Sequence, residues 1–207
     1  MPSPVPRFIV QPSSSLCKQV VSQGFNDFSQ LTAYIRSLPY DRNNDVDDPG
    51  SVLHEHRGTC SSKHRLLALV AHDCGHPEVQ LTVGIYAMSE QNTPGVGAVL
   101  AQHPFTSIPE AHCYLTVEGD RFDFTGLLSG SSSPFDALIS EHVVSPGVLP
   151  EIKRDLHLRA LAGWSHGAGI SLASAWAIRE ACIAALCIAA LKSSSSTQSV
   201  ANRSFPL

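Results

Sequence analysis

The chain has 207 residues, 43% hydrophobic and 15% charged, a length for one well-buried core and a composition that excludes a largely disordered protein. Its 14 Lys and Arg are scattered without a basic run and the net charge is −4, which argues against nucleic acid or an anionic membrane surface as a partner. Six cysteines, at 17, 60, 74, 113, 182 and 187, form no CxxC pair, and the N-terminus lacks an apolar signal segment; the expectation is a reducing, cytoplasmic compartment with free thiols.

Residues 1–15, with four prolines and four serines around Phe8, Ile9 and Val10, read as an extended or mobile arm. A single domain is expected over 16–191. Phe25, Phe28, Leu31 and Ile35 recur at helical spacing, and Ser37-Leu38-Pro39 ends that helix. Asp41 to Gly50 is polar, acidic and turn-rich, a loop. A helix is expected from Cys60 to Cys74, with Leu66, Leu67, Leu69 and Val70 on its apolar side and Gly75 and Pro77 as its stop. Val79, Leu81, Val83 and Ile85 alternate with polar or small residues, the pattern of a half-buried strand ending near Met88. Ser89 to Glu110 reads as a long loop beside the site, and strands are expected at 111–117 and 120–125. A Gly/Ser/Pro stretch follows around Leu128 to Pro134. Residues 170–191 are apolar and long enough to span a bilayer, but Arg179 and Glu180 sit at the centre, where a charge costs about 2.5 to 3.5 kcal/mol in a membrane helix. A buried or interface helix is the expectation there, followed by a disordered serine-rich tail over 192–207.

The chemistry concentrates at Arg57-Gly58-Thr59-Cys60-Ser61-Ser62-Lys63-His64. Gly58 permits a tight bend, Thr59 is a natural N-cap, and the free N–H groups of the first helical turn point at position 60. A thiolate there is stabilised by the helix N-terminus, which makes Cys60 a candidate nucleophile. Such a nucleophile needs a base, and the base needs a group to hold its tautomer. His112 and Asp123, in the hairpin pattern Ala111 to Thr125, fit those roles only in one register. With Gly119-Asp120 as the turn, Asp123 falls opposite Thr116, roughly 13 Å along the strand from His112. With Glu118-Gly119 as the turn, Val117 pairs with Asp120 and Asp123 lies opposite Tyr114, diagonally about 7 Å from His112 on the same face. The second register is expected, as a type I′ turn, with Cys113, Leu115 and Val117 facing the core.

The Arg57-to-His64 segment, its helix and following strand, Ala111-His112-Cys113-Tyr114 and Asp123-Phe124-Thr125 together resemble the core of the transglutaminase-like superfamily, over about residues 25 to 126. The resemblance implies an α+β, papain-like fold with the nucleophile helix packed on a small antiparallel sheet. It further implies Cys60 as nucleophile, His112 as general base and acid, and Asp123 as orienting acid. The implied activity is that of a cysteine-dependent amide hydrolase or acyltransferase working through a thioester without a cofactor. Its partner would be an amide-containing peptide, protein or small molecule. Tyr114 stands where many members have Trp, and Phe124 where they have Pro, so the substrate stays open.

The alternative is a protein of the same fold that binds without catalysis. The Cys60 N–H would be one oxyanion donor; Gln11, Gln19, Gln23 and Tyr40 all precede the cysteine, and the sequence does not choose among them for the second. His54, His56, Cys60, His64, Cys74 and His76 cluster in sequence, but without zinc-finger spacing. Lys63 and His64 read as solvent-facing residues of the first turn. Cys74, Cys113, Cys182 and Cys187 read as small core residues, and Trp164 and Trp176 as packing residues.

Overall fold

The computed structural model describes residues 5–201, and the side chains of residues 5–189. The arm is extended, as expected, but docked. Val10 N–H donates to the Asn26 carbonyl (3.0 Å), Phe28 N–H donates to the Phe8 carbonyl (3.0 Å), and the Phe8 ring stacks on Phe28 and His76. Helix α1, Ser15–Ser22, is capped by the Ser14 side chain and has no counterpart in the expected elements. Helix α2, Phe28–Ser37, starts later than its periodicity suggested. Asp27 takes the N-cap and accepts from the N–H groups of Ser29 and Gln30, leaving Phe25 outside to stack on Tyr34.

A short helix, α3 (Ser51–Glu55), leads to helix α4, Cys60–Asp73. Thr59 is its N-cap, and the Thr59 N–H donates to Ser62 Oγ (2.9 Å). Gly75, at φ +85°, follows its end. Strand β1, Gln80–Met88, is buried on both faces and not half-buried. The reason is its place inside the sheet, whose order is β3-β2-β1-β4. The expected loop from Ser89 to Glu110 contains helix α5, Gly97–Leu100, and gives way early to strand β2, Ile108–Val117. β2 runs antiparallel to β1 from Gln80↔Thr116 to Met88↔Ile108.

The hairpin turns at Glu118-Gly119, both at positive φ (50° and 89°). Strand β3, Asp120–Phe122, pairs Val117↔Asp120 and Leu115↔Phe122, the expected register. After a 3-10 turn at Pro134–Ala137, strand β4 (Leu138–Val143) adds to the free edge of β1. Helices α6 (Leu149–Ala168) and α7 (Leu172–Ala201) complete the α+β fold. α7 continues into the serine-rich stretch where no structure was expected; 202–207 lie outside the described residues.

Two apolar clusters sandwich the sheet. On one side Leu66, Leu67 and Val70 of α4 pack toward Leu81, Val83 and Leu115. On the other, Ile178, Cys182 and Leu186 of α7 meet Tyr86, Met88 and Ile108. Residues Leu172–Ala189 of α7 are long and apolar enough to cross a membrane. Its central charges are nonetheless used inside the fold. Arg179 donates to both carboxylate oxygens of Glu110 on β2 (2.6 Å each), and Glu180 accepts from Arg42 (2.7 Å).

The segment after Asp123 allows no side chain at Gly126, which sits at φ +77° with space for a Cβ only 2.0 Å from the Arg36 carbonyl oxygen. Gly126→Ala is therefore expected to destabilise the protein by at least about 2 kcal/mol in urea unfolding. An unchanged midpoint would show that this backbone is free to relax.

Candidate active site

Cys60 begins α4, where the first-turn N–H groups lack intrahelical partners. The bend before it is fixed by Gly58, whose N–H donates to the Pro39 carbonyl (3.1 Å). A Cβ on Gly58 would lie 2.8 Å from Ser62 Oγ. Cys60 is 4% exposed. His112 stands on β2 opposite Gly84, between the rings of Tyr86 and Tyr114. Its Nε2–H donates to Asp123 Oδ2 (2.8 Å), which leaves Nδ1 free, and the imidazole is near enough to Cys60 for each to shift the other's pKa. Asp123 is held in turn by Thr125, whose backbone N–H (2.8 Å) and hydroxyl both donate to Oδ1. The three residues singled out from the sequence are thus brought together.

Lys63 and His64 are not solvent-facing; both side chains are fully buried. His64 Nδ1–H donates to the Cys60 carbonyl (2.8 Å), and its Nε2 accepts from the Phe124 N–H (2.8 Å). One neutral imidazole therefore ties the turn of Cys60 to the residue beside Asp123. Lys63 Nζ donates to the carbonyls of Leu38 (2.6 Å) and Thr125 (2.7 Å). The signal was available in the helical period, because 60, 63, 64 and 67 share one face and Leu67 belongs to the apolar side.

Lys153, on α6, is a residue the sequence reading missed. Its Nζ lies 3.4 Å from Cys60 Sγ and donates to Ser61 Oγ (2.7 Å). Nothing in the spacing along the chain announces it. Cys113 faces the core as expected but also touches the site, with Sγ 3.6 Å from Ser61 Oγ.

These neighbours set the charge states. The neighbouring Cys113 thiol, and after the opposing effect of burial the Lys153 ammonium and His112, hold the Cys60 pKa well below the ordinary thiol range. Burial pushes the Cys113 thiol up, so it keeps its proton. Burial also works against a charged His112, but Asp123 and the Cys60 sulfur outweigh it and carry its pKa to about 10. Both shifts favour a thiolate–imidazolium pair over a neutral thiol and imidazole. His64 differs: burial lowers its pKa to about 4, so it stays neutral.

The three groups open on a cleft of about 480 Å³, also lined by Tyr40, Tyr86, Glu110 and the loop Ser129–Ser133. Asn92, Thr93 and Pro94, from the turn before α5, form part of its wall. The Ser129–Ser133 loop is fastened to that turn through Ser132 N–H and the Gln91 carbonyl (3.1 Å). The remaining histidines disperse: His56 Nδ1 meets the Tyr34 hydroxyl (2.9 Å) and His76 stacks on Phe8. Among the described residues no group of three or more His, Cys, Asp and Glu side chains is arranged to hold a metal ion. Comparison with family models, with curated proteins and with solved structures returns no match to this chain.

Because the folded His64 refuses a proton until about pH 4 while an unfolded histidine accepts one near pH 6.5, its contribution to stability is complete above about 6.5 and is lost as the pH falls toward 4. The shift is worth about 3 kcal/mol across that window. Urea unfolding of the wild type and His64→Leu should show their stability gap narrowing by that order between neutral pH and about pH 4. A gap independent of pH would mean that His64 is not held neutral.

Proposed function

We propose that the protein is a cysteine-dependent amide hydrolase or acyltransferase in which Cys60, His112 and Asp123 act as nucleophile, base and acid, and orienting carboxylate. The observation that carries this reading is the His112 Nε2–Asp123 Oδ2 bond of 2.8 Å, with a buried thiol at a helix N-terminus lining the same cleft as both. A hydrogen-bonded base held by a carboxylate beside a thiol is the arrangement that activates a weak nucleophile. The layout, with a nucleophile helix against antiparallel strands that supply His and Asp, is also the one that the resemblance to the transglutaminase-like superfamily implies, and a papain-like core is proposed on that ground.

In the proposed reaction the Cys60 thiolate attacks the carbonyl carbon of an amide or ester, and the carbonyl π electrons move to oxygen. His112, already protonated, gives its Nδ1 proton to the departing amine or alcohol as the carbonyl re-forms as a thioester. It then removes a proton from water or an incoming amine, which attacks the thioester; the C–S bond breaks, the acyl group leaves as an acid or a new amide, and the thiolate and protonated His112 are restored. Asp123 stays ionised throughout; burial opposes its charge, but His112 holds its pKa well below the ordinary carboxylate range. Lys153 adds a second positive charge beside the sulfur.

Iodoacetamide distinguishes this reading from a binding module with an idle thiol. At about pH 6 an ordinary cysteine is almost wholly protonated, whereas Cys60 is expected to react at least tenfold faster, roughly, than a free thiol. His112→Ala and Lys153→Met should each slow it, the former more. If Cys60 reacts no faster than a free thiol and His112→Ala leaves the rate unchanged, the ion pair is absent and the enzyme reading fails. With the pair intact, acylation of Cys60 by a substrate with a poor leaving group should decline as the pH rises through about 10, where His112 loses its proton.

A further inference from the structure

We infer that the Tyr40 hydroxyl is the second oxyanion donor of the site, paired with the backbone N–H of Cys60. The inference rests on the thioester reading above and names the group that reading leaves unfilled. Attack of sulfur on a carbonyl places a full negative charge on the oxygen, and a buried site must meet that charge with preorganised donors. Cys60 N–H, at the helix start, is one. Of the four earlier residues able to supply another, Tyr40 lines the cleft together with Cys60 and His112, and Gln11, Gln19 and Gln23 do not.

Tyr40 is held there by the nucleophile's own turn. Gly58 N–H donates to the carbonyl of Pro39, and Lys63 Nζ donates to that of Leu38. The two residues immediately before Tyr40 are therefore fastened on either side of Cys60, one bond from the turn that precedes it and one from the helix that follows. The Tyr40 ring is 6% exposed and packs in the cluster with Tyr86 and Ile183. Its hydroxyl makes no hydrogen bond among the described residues, although every other buried tyrosine hydroxyl has a partner: Tyr86 bonds Thr93, and Tyr114 bonds Glu141. It is also not sealed from the cleft, since the buried polar atoms without partners are on Gln19, Asn43 and Ser51.

A phenol hydroxyl that meets no protein acceptor and is open to the cleft is free to donate a hydrogen bond to a group bound there. Near it on the wall, the Asn92 amide is already committed to the Ala87 carbonyl. Burial, and after it the negative charges of Cys60 and Glu110, hold Tyr40 in its protonated form, so it can donate to an oxyanion throughout the working range. In the balanced step, the carbonyl oxygen gains an electron pair, accepts hydrogen bonds from Cys60 N–H and Tyr40 O–H without taking either proton, and returns the pair when the leaving group departs.

The test uses p-nitrophenyl acetate, whose acylation of Cys60 releases nitrophenolate, and Tyr40→Phe, which removes only the hydroxyl. Acylation passes through an oxyanion; alkylation by iodoacetamide, a direct displacement, does not. Tyr40→Phe should acylate about 10² to 10³-fold more slowly while its alkylation rate at Cys60 and its thermal midpoint stay at the wild-type values. A variant that acylates within about threefold of wild type, or one whose alkylation falls in step with acylation, overturns the assignment and leaves the thioester reading standing. If wild type gives no burst that depends on Cys60, the thioester reading itself falls and Tyr40 falls with it.

Discussion

The turn at Glu118-Gly119 is the constraint on which the site depends. Side chains alternate along a strand, so a slip of one residue would carry Asp123 to the far face of the sheet. A turn with positive φ at both central residues matches the right-handed twist of the flanking strands and fixes the pairing Val117↔Asp120. Glycine supplies this conformation without strain at 119; Glu118 adopts it at φ 50° with a side chain, a strained position tolerated because the ladder on both sides determines it. Once that register is set, Asp123 follows Phe122 onto the face of His112, and the 2.8 Å bond between them is a consequence of geometry.

The same loop holds the helix of Cys60. Asp123, Phe124 and Thr125 each engage a group of that helix or His112: Asp123 takes His112, Phe124 N–H meets His64, and the Thr125 carbonyl accepts from Lys63. Three successive residues thus join strand, helix and imidazole, and the site is built on regular elements whose relative positions are set by packing. The buried charges nearby are paired. Glu110 lies between Arg179 and His157, and Lys153 faces the Cys60 sulfur and Ser61. Desolvation of each charge is unfavourable by itself, and only mutual attraction with satisfied hydrogen bonds makes such a cluster tolerable in a core. The placement of a cation beside the thiol is therefore a feature that the fold maintains against a penalty.

Much of this was legible along the chain. The helix from Cys60, the strand before the long insertion, the hairpin and its register all follow from local rules of capping, alternation and turn chemistry, which act over a few residues. What failed did so where tertiary contacts decide. Lys63 and His64 carry polar side chains and were placed in water by type, yet their positions, three and four residues after Cys60, put them on its inward face. β1 has an alternating pattern, but β2 and β4 flank it and helices cover both its faces, so the polar phase of the alternation is buried as well. β4 has too little apolar character to be recognised alone, and it forms by pairing with an edge that already exists. Lys153 comes from α6, far along the chain, and only the folded molecule brings it to the thiol.

The proposed ion pair of Cys60 thiolate and His112 imidazolium is open to titration of the thiolate's ultraviolet absorbance in the wild type against Cys60→Ser. The expected difference spectrum shows the thiolate already present at neutral pH and persisting well below the ordinary range of about 8.5, with that apparent pKa rising in His112→Ala. A thiolate that appears only near the ordinary value, unaltered by the loss of His112, would contradict it.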